Sequence, residues 1–257
     1  MVLPDKIHSF HIPVMGVAFT LDTPIKVAKF GISSAISIME DNLLEKMSQK
    51  YANDYHLAYE PIPPSEDHYR SKRITRYLNL VHDIVCKQMK ILRNEAFEPN
   101  SELTKYFELL NHNSALSIMY NQMLHTKNPL KKLQLQNQLR KNVQSGCIDV
   151  NIMTKLDNIH YNKNGEIVKD GSDAVVALKG FADSKLCQSS VILSAGMNPR
   201  LFNYMAEIGV FDPNNDGVFN KRVTIKVSNY RSALIQGMML AKKGIWVSEF
   251  RVESGLN

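Results

Sequence analysis

The chain has 257 residues, 44% of them hydrophobic, and a formal net charge of +6. That length suits one large domain with a sizeable core, and no run approaches the roughly 18 apolar residues a membrane span needs. The opening MVLPDKIHSF lacks the order of a signal peptide, and three widely spaced cysteines (Cys86, Cys147 and Cys187) without a CxxC suit reduced thiols, so the expected setting is cytoplasmic.

In chain order one plan recurs: a short β-branched run, a polar loop, an amphipathic helix, a glycine, then another strand. This is the pattern of parallel βαβ units. Residues 12–16 form a first strand. Thr23 is placed to cap the next helix, Pro24 fits its first position, and Gly31 can take the left-handed conformation that ends it. Residues 32–39 make a second strand, and Asp41 is placed to cap a helix whose buried face carries Leu43, Leu44, Met47 and Tyr51.

Residues 61–146 interrupt the plan. They open on Pro61-Ile-Pro-Pro64, lack glycine until Gly146, and repeat apolar residues at helical spacing, as in Ile74, Leu78, Val81 and Val85. They also carry 13 Lys or Arg against 7 Asp or Glu, so the whole net charge sits there. A basic surface attracts nucleic acid, anionic membrane or phosphorylated substrates, but a modest surplus on solvated helices is the commoner case. The expected partner is a small-molecule substrate, with neither membrane nor nucleic acid, and a homo-oligomer is left open. Emerging after the second strand, this insertion is expected at the catalytic end of a barrel, as a lid or docking element.

The plan resumes with a third strand at 147–153 and a helix opened by Ser172 with the stripe Val175, Leu178 and Phe181. A fourth strand at 191–195 leads to Asn198-Pro199, a second cap-plus-proline start, and to a helix ending at Gly209. A fifth strand at 223–227 is followed by a helix with Leu234, Met238 and Ala241 at helical spacing, ended by Gly244, and a sixth strand spans 245–250. Six strands do not complete a barrel of eight. The expected fold is a (β/α)8 TIM barrel, incomplete at about six units: units one and two over 1–60, the insertion over 61–146, and units three to six over 147–257. An open doubly wound sheet is the alternative. An incomplete barrel predicts apolar surface at the last strand.

Along a parallel strand, side chains alternate between helices and lumen. Val223, Ile225 and Val227 therefore turn Thr224, Lys226 and Ser228 inward, and Ile148, Val150 and Ile152 do the same for Asp149, Asn151 and Met153. With Ser194 and Glu249 or Glu253, these gather at the mouth formed by the strands' C-terminal ends. Lys226 there invites an aldolase-like, Schiff-base reading, against the plainer role of an ion-paired or anion-binding lysine. Asp212-Pro-Asn-Asn-Asp-Gly217 mimics the start of a calcium loop, but its twelfth position is Val223, so it reads as a turn. No GxGxxG, Walker or metal-ligand spacing is present.

Four ordered pieces resemble the nitronate monooxygenase (2-nitropropane dioxygenase) group of FMN-dependent barrels. They are Ile12-Pro-Val-Met-Gly16, Asp149-Val-Asn-Ile-Met153, Ser194-Ala-Gly-Met-Asn-Pro199, and the run from Lys226-Val-Ser through Lys-Gly244 to Glu253-Ser-Gly255. The chain also looks like the N-terminal part of longer uncharacterised bacterial proteins of this type. The resemblance covers the barrel units and not the insertion. It implies FMN over the mouth near Met15, Gly16, Asn151, Met153, Ser194 and Lys226, with Lys226 and Glu253 as catalytic candidates and a flavin-dependent oxidoreductase or monooxygenase as the activity. It also places the group's catalytic histidine and its phosphate-binding loops beyond Asn257. The chain departs from the group after the first helix, where Gly31-Ile-Ser-Ser-Ala35 replaces a Gly-Gly. The competing readings are the aldolase-like barrel using Lys226 and a non-catalytic binding protein acting through the insertion.

Overall fold

A computed structural model describes residues 7–16, 20–161, 163–194 and 196–253. Ala195 and residues 254–257, which carry part of the sequence pieces above, lie outside these. Six strands form one parallel sheet: β1 (His11–Ile12), β2 (Ser33–Ser37), β3 (Ile148–Ile152), β6 (Ser189–Leu193), β7 (Lys221–Val227) and β8 (Val247–Val252), paired in that order. The order never reverses. A doubly wound sheet needs a reversal to put helices on both faces, whereas sequential right-handed crossovers put every connecting helix on one face. The sheet curls into a half-barrel. Arg251 on one edge strand donates to His11 Nε2 on the other at 3.0 Å, across the concave side.

The helical connections follow from local chemistry. Ser172 accepts from Val175 N–H at the start of α7 (Asp173–Ala182), and Asn198 accepts from Leu201 N–H at the start of α8 (Pro199–Glu207). Asn229 accepts from Ser232 N–H at the start of α9 (Tyr230–Ala241). Gly31 has φ 77°, and a Cβ there would lie 2.9 Å from Ile7 Cγ2. Two expected caps differ. Thr23 is already helical in α1 (Thr23–Val27); Asp22 precedes it, and its carboxylate binds Lys26 and Tyr51 instead of the backbone. Asp41 is the first residue of α2 (Asp41–Asp54), and its carboxylate is taken by arginines.

Only the start of the insertion reaches the mouth, where residues 64–70 line the rim, and the rest leads away from it. Its first helix, α3 (Tyr69–Asn94), has 26 residues and buries Ile74, Tyr77, Leu78, Val81, Ile84 and Val85 against the helical layer. At 1.5 Å per residue it is about 39 Å long, enough to run past the full height of the sheet. It delivers α4 (Glu102–Glu108), α5 (Ala115–His125) and α6 (Pro129–Asn142) to the other end. There Lys29 pairs with Glu102 at 2.5 Å, Tyr106 Oη donates to Gln144 O at 3.2 Å, and Gly146 N–H donates to Ala28 O at 2.8 Å. Residues 28–30 and 144–146 immediately precede β2 and β3, so these contacts mark the N-terminal ends of the strands. The rim of the mouth instead carries a hairpin absent from the sequence reading, β4 (Ile159–Tyr161) with β5 (Ile167–Ser172). Its turn contains Asn164-Gly165, a hairpin signal, with Gly165 at φ 81°.

Among the described residues no strand pairs with the outer edge of β8. The helix-side residues Phe250 and Val252 are exposed, as are Trp246 just before the strand and Leu234 and Met238 of α9, whose expected buried stripe is therefore largely uncovered; Gln236 and Leu240 are buried instead. Unpaired strand edges with apolar flanks associate. The chain is predicted to self-associate through this edge, shifting the emission of Trp246, its single tryptophan and 57% exposed, to the blue as concentration rises. Val252→Lys should suppress the shift. Emission independent of concentration, from a monomer, would contradict the prediction.

Candidate functional site

Register fixes which side chains share the concave face. Ser37 pairs with Asn151, Asn151 with Ile192, Ile192 with Thr224, and Thr224 with Glu249. Their neighbours Ile36, Val150, Ile152, Val191, Leu193, Val223 and Ile225 join the core cluster with the helices. The alternation read from the sequence therefore holds across four strands, giving a polar row of Ser37, Asn151, Thr224 and Glu249 interrupted by Ile192.

Asn151 is 5% exposed, and among the described residues its side-chain amide makes no hydrogen bond. The partners a structural role would use are engaged elsewhere. Ser194 Oγ accepts from Thr154 N–H at 2.8 Å while Thr154 Oγ1 donates to Ser194 O at 2.9 Å, tying β6 to the turn after β3. Lys226 pairs with Glu253 at 2.8 Å. Beside Asn151, the hydroxyl of Ser37 is buried and also lacks a partner among the described residues. A buried polar group left without a partner costs about 1–3 kcal/mol. The Oγ of Ser37 is such a group, and the unpaired side-chain amide of Asn151 lies beside it in register at the strands' C-terminal ends. The alternation of Ile36 and Ile38 was the signal that could have identified Ser37.

The other expected residues are less concentrated. Met15 lies after β1 and is 74% exposed, and Gly16 adopts φ 155° beside it. Met153 is half-buried just past β3 and packs against the core. Lys226 and Glu253 form an ion pair, the plainer of the two roles open to that lysine. Arg251, beside Lys226 in register, donates to Glu249 at 2.7 and 3.0 Å. The buried lysine of β7 is Lys221, whose ammonium donates to Phe181 O, Ser184 O and Leu186 O at 2.8–3.0 Å. Burial pushes it down to about 8. It lies at the strand's opposite end and closes the C-terminus of α7, so it is structural.

A cavity of about 590 Å³ opens at the rim, lined among others by Met39, Asp41, Arg70, Asn158, His160 and Asp173. Arg70 bridges Asp41 at 3.0 Å and Asp173 at 2.5 Å, His160 Nε2 lies 2.9 Å from Asp173 Oδ1, and Asn158 donates to Asp173 Oδ2 at 3.1 Å. Asp157 accepts from Ser172 Oγ, Ala174 N–H and Asn198 Nδ2 at 2.8–3.0 Å, which joins the starts of α7 and α8. The sequence concealed these roles because acidic residues at helix starts look like caps. Among the described residues no cluster of His, Cys, Asp and Glu has the makings of a metal site. Comparison of the chain with protein-family models, curated proteins and solved structures returned no match.

Burial pushes the Asp173 carboxyl up, but hydrogen bonds from Arg70 and His160 outweigh it and hold the group below its ordinary value of 3.8. The folded state therefore binds this proton less readily than the unfolded chain. The stabilisation is present above pH 3.8 and is lost as pH falls through the lower folded value. Asp173→Asn is predicted to cost roughly 3–5 kcal/mol near neutral pH, because Arg70 and His160 lose their shared partner. Denaturant unfolding at a series of pH values checks this. The gap between variant and parent should narrow below pH 3.8, and a constant gap would rule the network out as its source.

Proposed function

We propose that this chain forms the greater part of an FMN-dependent oxidoreductase of the nitronate monooxygenase type, in which the half-barrel belongs to a (β/α)8 barrel closed by strands pairing with β8. The unpartnered amide of Asn151 carries the reading. An amide presents a donor and an acceptor side by side, which matches the alternating N–H and C=O groups along the polar edge of a flavin ring. The sequence pieces resembling the family fall at strand ends around this amide, namely Met15-Gly16 after β1, Asn151 on β3 and Ser194 after β6. The sequential strand order is the one such a barrel requires. The uncovered apolar edge of β8 and α9 is what closing strands and their helices would bury.

Bound at the mouth, FMN would supply two-electron redox chemistry toward a small substrate. The chain's own contribution is positional. Asn151 fixes the ring edge, and Ser37 lies beside it with hydrogen-bonding capacity to spare. Arg251, Glu249, Lys226 and Glu253 form a charged wall along the last strands, where they would orient polar substrate atoms.

In the polypeptide carrying the closing strands, Asn151→Leu is predicted to weaken FMN binding at least tenfold, about 1.4 kcal/mol, while the apoprotein melts near its normal temperature. Titration by quenching of flavin fluorescence, together with thermal melting, makes the test. A parent protein that does not bind FMN saturably sinks the flavin reading. A variant that binds FMN normally but is strongly destabilised makes Asn151 a structural residue.

A further inference from the structure

Between Glu108 and Asp149 the sequence contains no carboxylate, yet it contains Lys127, Lys131, Lys132, Arg140 and Lys141, so five of the six net charges fall on the α5–α6 hairpin. Arg140 is occupied, donating to Arg93 O at 2.5 Å and lying over Phe97. The four lysines make no ion pair among the described residues. Leu139 is the one residue that α6 buries, so this helix stands out from the body. At its tip Leu124 and Leu130 flank the turn that holds Lys127, and Leu130 and Leu133 are 75% and 54% exposed. Leucines projecting among unpaired lysines on a convex turn need a partner that is apolar beneath an anionic surface.

We propose that the tip of the α5–α6 hairpin binds the surface of an anionic phospholipid bilayer. Leu124, Leu130 and Leu133 enter the headgroup layer, and the aliphatic stems of Lys127, Lys131 and Lys132 follow them while their ammonium groups stay with the phosphates. A nucleic-acid backbone would satisfy the lysines but offers nothing to outward-pointing leucines. The tip is a projecting turn rather than a groove, which favours a deformable bilayer over a folded protein. No helix among the described residues is long and apolar enough to cross a membrane, a fact that bears on spanning and not on surface binding. The hairpin lies at the end of the sheet opposite the mouth, so membrane docking leaves the mouth facing solvent, and the inference does not depend on the flavin reading.

The test is co-sedimentation of the whole chain with vesicles of phosphatidylcholine alone or containing about 30% phosphatidylglycerol. Binding should be at least about tenfold tighter to the anionic vesicles and should fall steeply at about 0.5 M salt. Lys127→Glu with Lys131→Glu, and separately Leu130→Ser with Leu133→Ser, should each lower it about tenfold with the melting temperature unchanged, these side chains being exposed. The apolar β8 edge would bind both vesicle types alike and would not respond to these variants. Equal affinity for the two vesicle types overturns the proposal. So does a loss seen with the charge variant alone, since that is how a general polyanion site for nucleic acid behaves.

Discussion

The structure depends on one constraint: parallel strands joined in sequential order by right-handed crossovers receive all their helices on one face. The helix-side residues of β2, β3, β6 and β7 are covered by a continuous apolar layer. No helix among the described residues meets the other face, so only curling brings its side chains together. The bond from Arg251 to His11 spans the two edge strands of the curled sheet. The row from Ser37 to Glu249 fills the concavity with groups that need hydrogen-bond partners. Some find them within the chain. Asn151 and Ser37 have none among the described residues, and that shortfall is what the proposal of a ligand at the mouth rests on.

The same constraint explains which parts of the fold the sequence revealed. Strand alternation has a period of two and each strand has one apolar face, so Ile148, Val150 and Ile152 were sufficient to orient Asp149 and Asn151. Asparagine and serine caps and the glycine that ends the first helix were also readable, because their roles depend on only a few neighbouring residues. Only the start of the insertion lies where the sequence places it, at the rim, because helical periodicity establishes that a helix exists but not where it leads. A crossover helix as long as α3 crosses the whole height of the sheet and leaves the rest of the segment at the far end. The β4–β5 hairpin was missed because its strands are short, polar and partly exposed, although Asn164-Gly165 signalled the turn. The ion pairs of Asp41 and Asp173 were not legible at all, since they join residues separated by 29 and 103 positions.

These long-range ion pairs also give the two ends of the sheet different characters. At the mouth, Arg70, Asp173 and Asp157 tie together the starts of α2, α3, α7 and α8, producing a stiff polar rim around the concave row. At the other end the Lys29–Glu102 ion pair and hydrogen bonds to the backbone accompany the stacked rings of Phe97, Phe107 and Tyr120, and the acid-free α5–α6 hairpin projects beyond them. A rigid rim suits a site that must hold a ligand in one orientation. An exposed cationic hairpin suits reversible attachment to an anionic surface.

The unpartnered amide of Asn151 is the group proposed to meet a ligand at the mouth. The most direct measurement is the side-chain amide resonance of Asn151 in ¹⁵N-labelled protein, assigned through its disappearance in Asn151→Leu and followed as FMN is added. The account predicts a saturable shift of that resonance together with slower exchange of its amide protons as they gain a partner. An Asn151 resonance that stays in place while FMN binds would contradict it.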